Sequence, residues 1–235
     1  MIAQKNAKPI MSHELTEIWE PVPPIVVSGK LLSEAPSDAI ILFDGNDINK
    51  EWTDKDGNEV KWTISEGVAS VVKGAGDIKT KRKFIDFQLH VEWKTPEEVI
   101  DSGMRRGNSG IFLQGIYELQ ILDSYNNPTY VNGQAGSIYK QNAPLVNTCK
   151  KPGEWQVFDI VYTAPRFKED GTYFTPPYVT VMQNGVLIQN HVALRGPTMY
   201  IGIPEYNIKP HGAGSIVLQD HWFPVSFRNI WIREL

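Results

Sequence analysis

The 235-residue sequence contains a single cysteine, Cys149. That excludes an internal disulfide and any metal site built from thiolates. No run approaches the roughly 18 apolar residues needed to span a membrane as a helix. There is no basic excess either: 23 Lys and Arg face 27 Asp and Glu, for a net charge of −4. The basic residues are scattered, without the aromatic-basic patch of an RNA reader, so a phosphate-tracking nucleic-acid surface is excluded. No convincing amphipathic helix longer than two turns is present. Met1-Ile2-Ala3-Gln4-Lys5 has no apolar core of an export signal, and the residues after it read like a mature N-terminus from which such a signal is gone.

With 41% hydrophobic and 21% charged residues, the composition is that of a folded chain. Residues 1–37 are Pro-rich, with Pro21, Pro23 and Pro24 close together, and read as an extended arm. Residues 38–235 read as one domain of short strands and turns. Ile85 to Trp93 alternates strictly between apolar and polar residues, the pattern of a half-buried antiparallel strand. Tyr178 to Gln189 holds two apolar-rich runs joined by Asn184-Gly185, the pair best suited to a type I′ hairpin turn. Ile216-Val217-Leu218 and Val225 to Ile232 add two more strands. Many short strands without a fixed repeat favour an all-β jelly-roll or concanavalin A-like β-sandwich of two antiparallel sheets over a propeller.

Two segments carry the candidate chemistry. In Arg105 to Ser124, a strand through Tyr117, Leu119 and Ile121 turns Glu118 and Gln120 to the face opposite the core. A one-residue bulge between Gln120 and Asp123 would return Asp123 to the side of Glu118. Two acids so placed resemble the acid and nucleophile of a retaining glycosidase, roughly 5–5.5 Å apart. Their pKa values would then be driven apart. The alternative is that Glu118 and Asp123 are solvated strand and turn residues, and that Asn108-Ser109-Gly110 is a plain turn.

In Leu218 to Arg233, His221 sits at a strand end and is the natural proton carrier at neutral pH. The other histidines, His13, His90, His191 and His211, read as structural or exposed. Trp222 is a candidate sugar-stacking platform, whereas most of the seven tryptophans read as core. Arg228 shares strand parity with Ile230 and Ile232, as a paired inward arginine or a sugar-binding one. Carboxylates with His221 are donors for a divalent ion, although no ligand spacing requires one.

Seven phrases occur in order: Leu42-Phe43-Asp44-Gly45-Asn46-Asp47, Asp86-Phe87-Gln88-Leu89, Gly107-Asn108-Ser109-Gly110-Ile111, Tyr117 to Asp123, Ile138-Tyr139, Pro152-Gly153-Glu154-Trp155, and Leu218-Gln219-Asp220-His221 through Arg233. Together they resemble the 3-keto-disaccharide hydrolase family, over about residues 39–235. Gln156 stands where that family usually has asparagine, and Trp222 where it usually has glycine.

The resemblance implies a concanavalin-like jelly roll, a small 3-keto-glycoside as substrate and export to a bacterial periplasm or cell surface. A ketone at C3 acidifies the C2 proton, so elimination of the C1 substituent and addition of water give net hydrolysis. That scheme takes Glu118, Asp123 and His221 as proton carriers and Arg106 or Tyr139 as the enolate stabiliser. Asn108, Gln120, Trp222 and Arg228 complete the expected sugar contacts. A conventional retaining glycosidase using Glu118 and Asp123, and a non-catalytic carbohydrate-binding module, are the competing readings.

Overall fold

Alternation of side chains along short strands decides the architecture, because each strand has one face to bury. The computed structural model describes Ser12, residues 16–205 and residues 209–235. His13 and the first eleven residues of the arm, with the start of the chain, lie outside the described residues. Fifteen strands follow: β1 Ile40–Phe43, β2 Trp52–Asp54, β3 Thr63–Ser65, β4 Val68–Ser70, β5 Ile78–Thr80, β6 Phe87–Lys94, β7 Ser109–Leu113, β8 Tyr117–Ile121, β9 Gln156–Thr163, β10 Arg166–Phe167, β11 Tyr173–Thr175, β12 Tyr178–Gln183, β13 Val186–Ala193, β14 Val217–Leu218 and β15 Ser226–Glu234. No helix longer than one 3₁₀ turn occurs among the described residues.

The large sheet has the order β13-β12-β9-β6-β15-β4-β3, with β1 also paired to β15, and the smaller sheet runs β2-β5-β14-β7-β8. A separate two-stranded ribbon, β10-β11, lies outside both. Every strand pair is antiparallel. The fold is the expected jelly-roll β-sandwich. Between the sheets, Phe87, Leu89, Val91 and Trp93 of β6 and Phe158 and Ile160 of β9 join Ile111, Leu119 and Leu218 of the smaller sheet in one core cluster. Each such side chain contributes roughly 1.5–3 kcal/mol when fully buried.

The Asn184-Gly185 turn is as expected, with both residues at positive φ (53° and 80°) between Gln183 and Val186. Asn184 also ties the hairpin down: its Oδ1 accepts from Val157 N, and its Nδ2 donates to Thr148 O and Gln156 Oε1. Gln156 is therefore a buried anchor of the hairpin.

The polar face of β6 is more buried than its alternation implies: Glu92 is covered as well as His90, which is structural as expected. The arm and its neighbours cover them. Ser33 O accepts from Asn229 Nδ2 (2.9 Å) and Trp231 Nε1 (3.2 Å), the His90 ring stacks on Trp231, and His90 Nδ1 lies 2.7 Å from Asp159 Oδ1. No strand precedes Ile40 among the described residues.

Candidate active site

The site is built on the face of the smaller sheet turned away from the core. In the unbroken β7–β8 register, Phe112 lies opposite Glu118 and Gly110 opposite Gln120. Gly110 has no side chain, and the Glu118 side chain lies over it: a Cβ at position 110 would stand 2.6 Å from Glu118 Oε1. The backbone of Glu118 is held from both sides, its N–H donating to Thr198 Oγ1 and its carbonyl accepting from Tyr139 N. Only 5% of Glu118 is exposed. Burial, reinforced by the nearby acid Asp77, pushes its pKa up to about 8, so it is protonated at neutral pH.

Glu118 opens into a cavity of about 280 Å³ whose lining includes Gln120, Asn108, Tyr139, Gln219 and His221. Gln120 Nε2 donates to Asn108 Oδ1 (2.8 Å) and to the carbonyls of Ser109 and Ile121, which fixes the amide edge of the pocket. Tyr139 shares a 2.9 Å hydroxyl contact with Tyr130, and burial raises its pKa, so its phenol keeps its proton. Lys140 holds the facing wall, donating to Tyr200 O and lying 4.5 Å from the Tyr200 ring centroid.

His221 enters from the turn between β14 and β15, its ring parallel to Phe223 at 6.4 Å. Its Nδ1 and Gln219 Oε1 are both buried without a hydrogen-bond partner among the described residues. Buried polar atoms are nearly always satisfied, so these two leave hydrogen-bonding capacity for a water or a ligand in the cavity that both residues line.

Glu118, His221, Gln120, Asn108 and Tyr139 thus converge. Four other expected residues do not. Asp123 is not beside Glu118: its N–H bonds to Arg106 O, three residues before Ser109, whereas Ser109 pairs with Ile121. The extra residue therefore falls on the Arg106–Ser109 side, where Gly107 has φ 59°, and Asp123 keeps the odd parity of Ile121. There it forms a buried ion pair with Arg106, Nε to Oδ2 2.5 Å. Arg106 is committed to that pair and to Tyr125 O, and both residues line a separate cavity of about 120 Å³.

Arg228 is corrected as well. A bulge at Asn229 (φ 45°) puts residues 228 and 229 together on the outer face of the large sheet. Arg228 Nε donates to Glu92 Oε2 (2.6 Å), and its guanidinium lies 4.1 Å from the Trp155 ring centroid. Trp222 stands at the rim beside His221, 62% exposed, and is not part of the pocket lining.

The sequence reading missed Asp77, Phe112, Thr198, Tyr200 and Gln219. Phe112 and Asp77 had a signal, since both share parity with the polar face of their strands. Thr198 and Tyr200 come from the long connection after β13, which has no periodicity to read. Among the described residues no three His, Cys, Asp or Glu side chains are grouped so as to hold a metal ion. The donor set considered for a divalent ion around His221 is therefore not formed by these side chains.

An antiparallel sandwich whose open sheet carries a protonated acid, a histidine, amides and a phenol in one small cavity has the build of a carbohydrate-active enzyme. The chain belongs to the 3-keto-alpha-glucoside-1,2-lyase-like domain family, whose model matches residues 38–233. It is 27% identical over 249 residues to the 3-keto-disaccharide hydrolase of Bacteroides thetaiotaomicron, covering 86% of this chain and 81% of that protein. A crystal structure from Parabacteroides distasonis ATCC 8503, provisionally described as a glycosyl hydrolase, is 56% identical with a TM-score of 0.91 over 97% of this chain and 99% of that one. A second protein of the same organism shares the fold at 22% identity and a TM-score of 0.60, over 84% of this chain and 94% of that one. The chain is an enzyme of the glycosyl hydrolase kind.

Proposed function

We propose that this enzyme cleaves 3-keto-glycosides by elimination followed by hydration. The observation that carries the reading is a single pocket holding a carboxylic acid protonated at neutral pH, Glu118, together with His221. In this scheme His221 takes the C2 proton, and the electron pair left at C2 is delocalised onto the C3 oxygen. The Tyr139 hydroxyl, kept protonated by burial, donates to that oxygen. The pair then forms the C1–C2 double bond as the C1–O bond breaks, and Glu118 gives its proton to the departing oxygen. Water then adds, its hydroxyl to C1 and its proton to the Glu118 carboxylate, while His221 delivers a solvent-exchangeable proton to C2; both carriers are restored and the net change is hydrolysis.

Asp123 is engaged with Arg106, and Asp77, the acid whose charge acts on Glu118, is held by Asp220 N–H, which favours this over a retaining glycosidase with a second free carboxylate beside Glu118. Trp222 at the rim offers a face for the leaving sugar. The same reading assigns the periplasm or cell surface as the site of action, on the family resemblance, and cell fractionation tests it.

The deciding experiment offers a nitrophenyl glucoside and its 3-keto derivative in D₂O. Release from the keto compound alone, with deuterium at C2 of the product, is the expected result. Release from the unoxidised glucoside without deuterium at C2 would overturn the elimination.

A further inference from the structure

His221 projects from a turn, and a proton carrier on a turn acts with precision only if something fixes the turn. The fixing contacts are reciprocal. Asp220 N–H donates to Asp77 Oδ1 (2.8 Å), and Gly76 N–H donates to Asp220 Oδ2 (2.9 Å). The other oxygen of Asp220 accepts from Trp222 N–H (2.9 Å), closing the turn around His221 while Trp222 takes a positive φ of 65°. Two aspartates about 140 residues apart in sequence therefore clasp β5 to the histidine turn.

The strand register shows where Asp77 faces. Val217 pairs with Lys79 and Phe112, and Leu218 with Ile78 and Ile111. Continuing those registers by one residue puts Gln120, Gly110, Gln219 and Asp77 in one row across four strands. Glu118 leans over Gly110, toward that row.

We propose that Asp77 is the positioning residue of this site, holding the His221 turn through Asp220 while presenting a second carboxylate to Glu118. The proposal rests on the elimination reading above. Its electrostatic half agrees with Asp77 raising the pKa of Glu118, after burial. The effect is mutual with the turn, since burial first and then the charge of Asp220 raise the pKa of Asp77, against the pull of His221 and the hydrogen bond from Asp220 N–H. The other titratable groups of the pocket are His221, Tyr139 from the segment after β8, and Tyr200 from the connection after β13.

Asp77→Asn and Asp77→Ala separate the two roles. Asparagine still offers an oxygen to Asp220 N–H but carries no charge, whereas alanine offers neither. With a 3-keto-glucoside, Asp77→Ala should lower kcat by about tenfold or more, with KM changing much less, because a misplaced group loses rate steeply. Asp77→Asn should recover most of that loss near pH 6. Its alkaline limb of kcat/KM should move to lower pH, since a like charge facing Glu118 has been removed. A purely structural residue would not move that limb.

Amide exchange of Asp220 and Trp222 gives a readout independent of turnover, with faster exchange expected in Asp77→Ala and near-native exchange in Asp77→Asn. Unchanged exchange and unchanged kcat in Asp77→Ala would overturn the positioning role. An unmoved alkaline limb in Asp77→Asn would overturn the charge role. If the wild type fails to turn over the keto substrate, the elimination reading falls, and amide exchange alone decides the clasp.

Discussion

Gly110 and Glu118 occupy each other's space: a β-carbon at residue 110 would meet the Glu118 side chain at Oε1, Cγ and Cδ, all within 3.1 Å. The acid can lie across the sheet only because the neighbouring strand leaves that spot bare.

Gly110→Ala is therefore expected to act on the acid rather than on the fold. The backbone at 110 is not at positive φ, and the side chain displaced is flexible at its tip. Turnover of a 3-keto-glucoside should fall by about 10²-fold, the scale of a lost proton-transfer group. The unfolding temperature should change by less than about 3 °C. A variant with full activity would show that Glu118 does not need this position.

The raised pKa of Glu118 sets a pH dependence whose sign is fixed. The folded chain holds its proton up to about pH 8, against an ordinary value of 4.5. Activity that needs the protonated acid should decline above about pH 8. The folded state binds more protons than the unfolded one between those limits, so this residue's contribution to stability falls as pH rises from 4.5 through 8. Glu118→Gln removes the ionisation. It should cost about 10²-fold or more in kcat, yet stabilise the protein by roughly 1–3 kcal/mol at pH 8.5 relative to wild type. Denaturant melts at pH 5 and pH 8.5 check both signs.

Arg106→Ala should destabilise the fold by about 3–5 kcal/mol, because Asp123 would remain a buried charge without its partner. Adding Asp123→Leu should recover part of the loss. If instead the single substitution removes activity with stability intact, Arg106 belongs to the chemistry.

Gly185→Val should lower stability by roughly 1–2 kcal/mol, since φ is 80° there and L side chains resist the left-handed region. No neighbour lies within 4 Å of an added β-carbon, so the loss would be backbone strain alone. An unchanged urea midpoint would count against the turn assignment.

Much of this was legible in the chain, for definite reasons. Alternation in Tyr117 to Ile121 put Glu118 and Gln120 on the polar face, and Asn184-Gly185 declared its turn. Arg228 was misplaced because its parity was counted back from Ile230 through the bulge at Asn229, a residue that alternation cannot reveal. Asp123 was misplaced for the opposite reason: the bulge expected between Gln120 and Asp123 lies instead on the Arg106–Ser109 side, so plain alternation places it. Asp77 escaped because its role depends on Asp220, a pairing made by strand order rather than by local pattern. Glu92 read as solvent-facing because the sequence does not say that the arm returns to cover that face of β6.

The strand order of the large sheet has a consequence for how the molecule comes into being. Its fifth strand in space, flanked by β6 on one side and by β4 and β1 on the other, is β15, the last strand in sequence. A ribosome that has made everything through β14 has produced a sheet split down the middle, with two unpaired edges where the strand belongs. The sandwich cannot close before β15 emerges, so the nascent chain stays open to chaperones or proteases until that strand has left the ribosome.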